Sequence, residues 1–149
     1  MDGLELLKKD HQKVKELFEQ AEEAEGKELE NIFDQIKTEL ETHARIEETV
    51  FYPAVQKHQE LKDMVLESLE EHKQIKTLLK EMDNLTSDSE KFEPKLQVLM
   101  ENVEHHAEEE EEGKMFPKLR QIMNKQQLEK LGADLEAAKG QRQKQRKAS

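Results

Sequence analysis

The sequence predicts an all-α protein, an up-down-up-down four-helix bundle with a short extra C-terminal helix and a tail. Apolar residues recur with a helical period in four long segments of the 149-residue chain. The composition is 40% charged and 4% aromatic with five Gly and three Pro, which suits long exposed helices with narrow apolar stripes. The connections between the segments are short, so consecutive helices should be antiparallel neighbours.

The first two helices are read from their apolar spacing. The first carries Leu4, Leu7 and Phe18 on one stripe and ends near Gly26, a residue that favours a helix stop. The second runs from about Leu29 past residue 50. Pro53 should kink or end it, because proline lacks the backbone donor and clashes with the preceding turn.

The third and fourth helices follow the same pattern. The third extends from Leu61 to about Met82 and ends in a turn-like run of Asn, Thr, Ser and Asp. The fourth starts within residues 89–93, because Pro94 fits only an early helical turn. It reaches residues 115–116 before Pro117.

The sequence also predicts how the chain is divided. Residues 1–122 form the bundle, and residues 123–149 form a short helix and a basic flexible tail. The tail contains Arg142, Lys144, Arg146 and Lys147, and we interpret it as a solubilising end rather than a nucleic-acid or membrane contact.

Composition excludes several classes of function. The chain has no cysteine, so disulfides, thiolate metal sites and cysteine nucleophiles are ruled out. The net charge of −11 disfavours nucleic acid and anionic membranes as partners. No apolar run approaches the ~20 residues that span a bilayer, and the acidic N-terminus is unlike a secretory signal. We therefore expect a cytoplasmic protein that is a monomer or a weak homodimer.

A helical hairpin is used twice along the chain. The segment HQKVKELF at residues 11–18 matches HKQIKTLL at residues 72–79, and the dipeptide His-Ala occurs at residues 43–44 and 106–107. The second and fourth helices both end in an aromatic residue followed by proline, in the sequences FYP and MFP. This repeat favours a bundle with approximate two-fold symmetry.

Each apolar stripe contains polar residues at one level. Steps of three and four residues place one histidine on the inner face of every helix, and two helices add a carboxylate. A single such histidine is usually a satisfied core residue, but a duplicated set with buried carboxylates needs a compensating charge. A bound cation supplies it, and four histidines with carboxylates and no cysteine favour iron, with manganese or zinc as alternatives. The predicted metal ligands are His11, His43, Glu47, His72, His106 and Glu110.

These residues resemble the hemerythrin HHE cation-binding family. The resemblance covers about residues 4–120 and rests on the four histidines, on the His-x-x-x-Glu pattern and on the FYP and MFP ends. It implies a four-helix bundle with two non-haem iron ions (Fe2+/Fe3+, oxo- or hydroxo-bridged), held by histidines and by bridging carboxylates from Glu47 and the fourth helix. Family members bind oxygen, sense oxygen or iron, or react with peroxide and nitric oxide.

Two departures from the family pattern bear on the site. Oxygen-carrying members have a further histidine one turn after the third-helix histidine, and Lys76 stands there, which counts against simple oxygen carriage. Pro53 lies six residues after Glu47, whereas Pro117 lies seven residues after Glu110. The fourth helix thus has one residue more than the second, which a π-bulge can absorb. In the family the glutamate lies five residues after the fourth-helix histidine, so Glu111 is an alternative ligand. We prefer Glu110. Glu48, Glu109 or water can complete the ligand shell.

The resemblance leaves two main functions open. The first is a di-iron protein that binds or reacts with O₂, H₂O₂ or NO, for sensing or for defence against oxidants. The second is a non-catalytic iron-binding, storage or signalling module that a protein partner reads. Whether the site catalyses a reaction is open, as is whether Tyr52, the only tyrosine, serves the site or packs beside it. A metal-free scaffold is a third alternative.

Overall fold

The computed structural model describes the backbone of residues 1–148 and the side chains of residues 1–141. Within that part of the chain the structure is helical and contains no strand. None of its helices is both long enough and apolar enough to cross a bilayer. The α-helices are α1 (Gly3–Glu22), α2 (Gly26–Ile46), α3 (Tyr52–Gln56), α4 (Lys62–Asp83), α5 (Phe92–Glu104), α6 (Phe116–Ile122) and α7 (Lys125–Ala148).

Two π-helical stretches join these helices into longer rods. The first π-segment, Glu47–Phe51, connects α2 to α3, and the second π-segment, His105–Met115, connects α5 to α6. A 3-10 turn, Gln59–Leu61, precedes α4. The four long rods pack as the predicted four-helix bundle, with α1 against α2 and α4 against α5, and α7 packs on α1 and α2. The predicted fold class is confirmed.

The helix ends follow local chemistry. Asp2 caps α1, accepting a hydrogen bond from the backbone N–H of Glu5 at 2.9 Å. Gly26 has φ of +60°, a conformation that favours glycine, and it opens α2 rather than closing α1. Pro94 lies in the first turn of α5, as predicted.

The two prolines do not end their helices: α3 continues past Pro53 to Gln56, and α6 continues past Pro117 to Ile122. Of the two outcomes expected for Pro53, a kink or an end, the helix end does not occur at the proline. In each rod the residue before proline donates its backbone N–H five residues back: Tyr52 to the carbonyl of Glu47, and Phe116 to the carbonyl of Glu111. A five-residue step makes a wider turn than the α-helix. We infer that this wider turn receives the proline ring, which would clash with the carbonyl four residues back in a regular α-helix.

The hydrophobic core consists of two clusters along the bundle axis. One contains Val14, Phe18, Ile36, Leu79 and Leu99, together with their apolar neighbours. The other surrounds the aromatic–proline ends of the long rods and contains Leu7, Ile46, Phe51, Tyr52, Val65 and Phe116. On α1 the histidine at position 11 lies between Leu7 of one cluster and Val14 of the other, so the polar layer separates the two clusters.

The C-terminal helix is part of the folded unit. Leu128, Leu131 and Leu135 of α7 are buried in the same cluster as Leu4 and Leu7 of α1. The helix is longer than the short one expected, and the side chains of Arg142, Lys144, Arg146 and Lys147 lie outside the described residues. The domain boundary at residues 122–123 stays a prediction.

Candidate metal centre

The polar layer brings histidines from four helices to one depth. His11 comes from α1, His43 from α2, His72 from α4 and His106 from the second π-segment. Their imidazole side chains are at most 10% exposed, and Glu47 and Glu111, which lie among them, are fully buried. The side chains form two overlapping clusters that share both glutamates.

We call the first cluster subsite A; it comprises His11, His43, Glu47 and Glu111. The Nε2 atoms of His11 and His43 are 3.2 Å apart. Nε2 of His11 is 3.0 Å from Oε1 of Glu111, and Nε2 of His43 is 3.3 Å from Oε1 of Glu47. Ligand atoms bound about 2.0–2.2 Å from one ion stand about 3 Å apart, so these spacings fit a coordinated ion.

We call the second cluster subsite B; it comprises Glu47, His72, His106 and Glu111. The Nε2 atoms of His72 and His106 are 3.0 Å apart. Nε2 of His72 is 3.1 Å from Oε1 of Glu47, and Nε2 of His106 is 3.3 Å from Oε2 of Glu111. Subsite B therefore repeats the geometry of subsite A, as the sequence repeat suggests.

Two carboxylate oxygens in the layer lack hydrogen-bond partners. Oε2 of Glu47 and Oε1 of Glu111 are buried and accept no hydrogen bond. Oε1 of Glu111 lies close to His11 without the alignment of a hydrogen bond. A buried, unsatisfied carboxylate oxygen is costly unless a cation binds it. The donor set therefore fits metal ions shared between the two glutamates.

The outward nitrogen of each of the four histidines in the layer is held by a carboxylate. Nδ1 of His11 donates to Glu112 at 2.7 Å, and Nδ1 of His43 donates to Asp10 at 3.0 Å. At subsite B the corresponding acceptor is Glu48 for His72 and Glu71 for His106, each at 2.7 Å. These contacts fix the tautomer in which Nε2 presents its lone pair to the centre, as metal-binding histidines require.

The carboxylates also govern proton binding. Burial lowers the pKa of His43, but Glu47 and Asp10 outweigh burial and raise it to about 10. At His11, His72 and His106 burial likewise lowers the pKa, but the surrounding carboxylates outweigh burial and raise it. Protons and metal ions therefore compete for the same Nε2 atoms.

The structure corrects the preferred fourth-helix carboxylate. Glu111, and not Glu110, lies in the layer, because the second π-segment advances the inner face by five residues from His106. Glu110 points outward, with its carboxylate 3.3 Å from Nζ of Lys114 and 3.5 Å from His105. His105 is about half exposed and forms, with Glu71 and Glu110, a separate group outside the buried layer.

The hydroxyl group of Tyr52 lies inside subsite B. It donates to Oε2 of Glu111 at 2.6 Å, and its oxygen is 3.2 Å from Nε2 of His72 and 3.1 Å from Nε2 of His106. Burial first, and then the charges of Glu111 and Glu47, raise the pKa of Tyr52 well above its usual value. The sequence did not place this hydroxyl in the site; its nearness to Pro53 in the FYP sequence was the available signal.

Lys76 occupies the position where oxygen-carrying family members have a histidine. Its Nζ donates to both carboxylate oxygens of Glu48, at 2.9 and 2.8 Å, while Glu48 accepts from Nδ1 of His72. Glu48 thus supports a histidine from outside the layer instead of pointing into it. Glu109, which accepts from His105, is also outside.

A small cavity adjoins the centre. Its volume is about 40 Å³, and all four histidines line it together with the apolar side chains of Leu40, Ile75, Leu79 and Val103. About 10–15 Å³ of such space is enough to hold one water molecule, so the cavity admits a small molecule.

Comparisons with known proteins agree with this geometry. The family described as "Hemerythrin HHE cation binding domain" matches residues 2–119. A crystal structure of a hemerythrin HHE cation-binding domain-containing protein from Mycobacterium kansasii superposes with a TM-score of 0.84 at 27% identity, covering 95% of this chain and 87% of that one.

Two curated proteins are also similar. An uncharacterized hemerythrin-like protein of Schizosaccharomyces pombe is 30% identical over 107 residues, which are 70% of this chain and 53% of that protein. A protein of Nostoc sp. named DNA nickase is 27% identical over 140 residues, which are 93% of this chain and 39% of that protein. The chain thus spans about half or less of the length of these curated relatives.

Proposed function

Because the chain belongs to the hemerythrin HHE cation-binding domain family, we propose that its buried layer holds two iron ions and reacts with small oxidants such as O₂, H₂O₂ or NO. The observation that carries this proposal is the pair of overlapping subsites whose shared glutamates each keep a buried oxygen without a hydrogen bond. Such oxygens are suited to bridge two cations. Iron is preferred over manganese and zinc because the donors are imidazole and carboxylate without thiolate.

We propose these ligands for the two ions. His11 and His43 bind at subsite A, His72 and His106 bind at subsite B, and the shared glutamates are Glu47 and Glu111. The oxygen of Tyr52 is a further ligand of subsite B, because it stands at the same 3.1–3.2 Å spacing from both imidazoles as a coordinated neighbour would. A bound cation stabilises the phenolate form that the two carboxylates alone disfavour.

The cavity supports the class of substrate. Leu40, Ile75 and Val103 line it together with the four histidines, and its volume of about 40 Å³ favours small molecules over larger organic ones. Iron supplies redox chemistry when bound. The chain would contribute the ligands and the carboxylates that orient the imidazoles, and the Tyr52 hydroxyl, which donates to Glu111, would lose its proton to solvent when its oxygen binds a cation.

Two measurements test the proposal. Protein expressed with iron supplied should contain close to two irons per chain by elemental analysis, and it should consume hydrogen peroxide or change colour reversibly under O₂. The variant H72A should retain the fold and lose iron from subsite B. Wild-type protein that binds no iron under these conditions would contradict the metal proposal, and iron-loaded protein inert to both H₂O₂ and O₂ would contradict the reactivity with these oxidants.

The alternative is an iron-binding, storage or signalling module without turnover. It shares the metal centre and differs in the outcome of the oxidant assays. The similarity to a protein named DNA nickase does not alter the proposal, because the chain covers 39% of that protein and its charge of −11 disfavours binding to phosphates. Cytoplasmic location and a monomeric or weakly dimeric state stay predictions.

A further inference from the structure

The C-terminal helix contacts Asp10, the carboxylate that holds His43 of subsite A, through one lysine. Nζ of Lys139, on α7, donates to Oδ1 of Asp10 at 2.5 Å. The other oxygen of Asp10 accepts from Nδ1 of His43 at 3.0 Å. Lys139 lies beyond residues 2–119, the part of the chain that the family description matches. A helix beyond the residues that the family model matches therefore contacts the carboxylate that orients a proposed metal ligand.

The surroundings make this charge effective. The side chain of Asp10 is 7% exposed and that of Lys139 is 27% exposed. Charges interact more strongly where water is excluded, so the positive charge on Nζ should be felt at His43. No other lysine or arginine among the described side chains is recorded in contact with Asp10.

A comparable arrangement exists at subsite B and provides an internal reference. Lys76 donates to Glu48, which accepts from Nδ1 of His72. Both members are more exposed than their counterparts at subsite A, at 52% for Lys76 and 27% for Glu48. Solvent should screen this second lysine more strongly.

The chemistry of such a chain has a defined direction. An aspartate that accepts only from imidazole pulls on the Nδ1 proton, which makes Nε2 a stronger electron donor to a metal. A lysine on the other oxygen shares the negative charge and weakens that pull. The nearby positive charge also favours the metal state of lower charge, so both effects favour Fe2+ over Fe3+.

We propose that Lys139 is a positioning residue that acts through Asp10 and His43 to raise the reduction potential of the iron at subsite A, and so couples the packing of α7 to the redox state of the centre. The inference rests on the proposed function, because it requires iron at subsite A. Displacement of α7 removes the lysine and makes the centre easier to oxidise.

The test is an anaerobic redox titration of the iron-loaded chain and of variants at three lysines, with the Lys139 variant repeated in a D10N background. K139M removes the charge and keeps an apolar stem, and K139R keeps the charge. K130M is the matched control on the same helix, because Lys130, which is 78% exposed, pairs with Asp134 and with no other described side chain. K76M probes the reference arrangement at subsite B. Thermal unfolding measured on the same samples reports whether each variant is folded.

K139M should change the Fe3+/Fe2+ ratio at a fixed potential about tenfold towards Fe3+, which is a midpoint lowered by about 59 mV for one electron. K139R and K130M should match wild type, and K76M should shift the midpoint less than K139M. In the D10N background the effect of K139M should shrink, because the negative charge of Asp10, which lies between Lys139 and His43, is gone.

Several outcomes overturn the inference: an unchanged midpoint in K139M, an equal shift in K139R, or an undiminished K139M effect in D10N. If K139M does not fold, K139Q, which keeps a donor without a charge, gives the same comparison. Wild-type protein without iron would contradict the proposed function instead, so the two failures are distinguishable.

Discussion

Glu110 and Glu111 are adjacent and chemically identical, yet their environments differ completely. The carboxylate of Glu111 is fully buried between both histidine pairs, whereas Glu110 contacts Lys114 at the bundle surface. A buried carboxylate without a bound cation is unfavourable. The carboxylate of Glu110, 12% exposed, is instead paired with Lys114 and His105, which are 59% and 49% exposed. The two residues therefore form a matched pair for testing the centre.

Replacing each glutamate by glutamine shows which of the two carboxylates binds the metal. E111Q should lower iron affinity by more than the roughly 10–100-fold typical of residues that only support a ligand. E110Q should bind iron as wild type does. Elemental analysis after dialysis against a weak chelator measures the difference, and circular dichroism confirms folding. Equal iron contents in the two variants would exclude Glu111 as a ligand.

Tyr52 provides a spectroscopic test at the same scale. A tyrosine oxygen bound to Fe3+ gives a charge-transfer band in visible light, and the chain has no other tyrosine. The oxidised, iron-loaded wild type should show this band, and Y52F should lose it while keeping its iron. A band that survives in Y52F, or is absent from the wild type, would show that Tyr52 only hydrogen-bonds to Glu111.

At the scale of elements, the second π-segment determines which glutamate faces inward. Its hydrogen bonds span five residues, so His106, Glu111 and Phe116 follow one another along the inner face. The backbone is tightly packed at Gly113, where an added Cβ would lie 3.0 Å from the carbonyl oxygen of Glu108. The absence of a side chain at this position thus has a structural reason.

Alanine substitution at two glycines tests this reading. G140A in α7 meets no atom within 4 Å and should stabilise the protein by roughly 0.5–1 kcal/mol, because alanine favours helix. G113A should give no such gain and should destabilise the protein, since its Cβ presses on backbone. Urea unfolding of both variants measures the free energies. Stabilisation by G113A equal to that by G140A would contradict the proposed constraint.

The contact between α7 and α1 depends on a second close approach. A Cβ on Gly3 would lie 2.8 Å from Leu131, and one on Gly132 would overlap the carbonyl of Met1. The two helices therefore pack almost backbone to backbone near their glycines. This packing lets α7 continue along the bundle to the level of Asp10, where Lys139 contacts it.

At the scale of the whole molecule, the polar layer divides the hydrophobic core in two. Stability in the absence of metal then depends on protons that pair with the buried carboxylates. Burial opposes the charge on Glu47, but His43 and hydrogen bonds outweigh burial and lower the pKa of Glu47 well below its usual value. The raised pKa of His43 is the other side of the same interaction.

The metal-free protein should therefore lose stability as the pH rises. The pKa of His43 is about 10 when folded against 6.5 for the ordinary group, so its contribution is complete below about pH 6.5 and disappears as the pH approaches 10. The other three histidines shift in the same direction. Urea unfolding of chelator-treated protein between about pH 6 and pH 9 measures this, and H43Q should flatten the trend. Iron affinity should show the opposite trend, rising with pH as protons leave the ligands. A metal-free protein more stable at high pH would contradict the inference that protonated histidines stabilise the buried carboxylates.

The sequence by itself determined the helical bundle, the level of the polar layer and five of the six predicted inward residues. Steps of three and four residues fix which side chains share a face as long as the backbone is a regular α-helix. Tertiary structure decided the rest. The π-segment changed the step to five residues and brought Glu111 inward in place of Glu110. The contacts of Tyr52 and Lys139 connect residues far apart in the chain, and periodicity along one helix carries no information about such pairs.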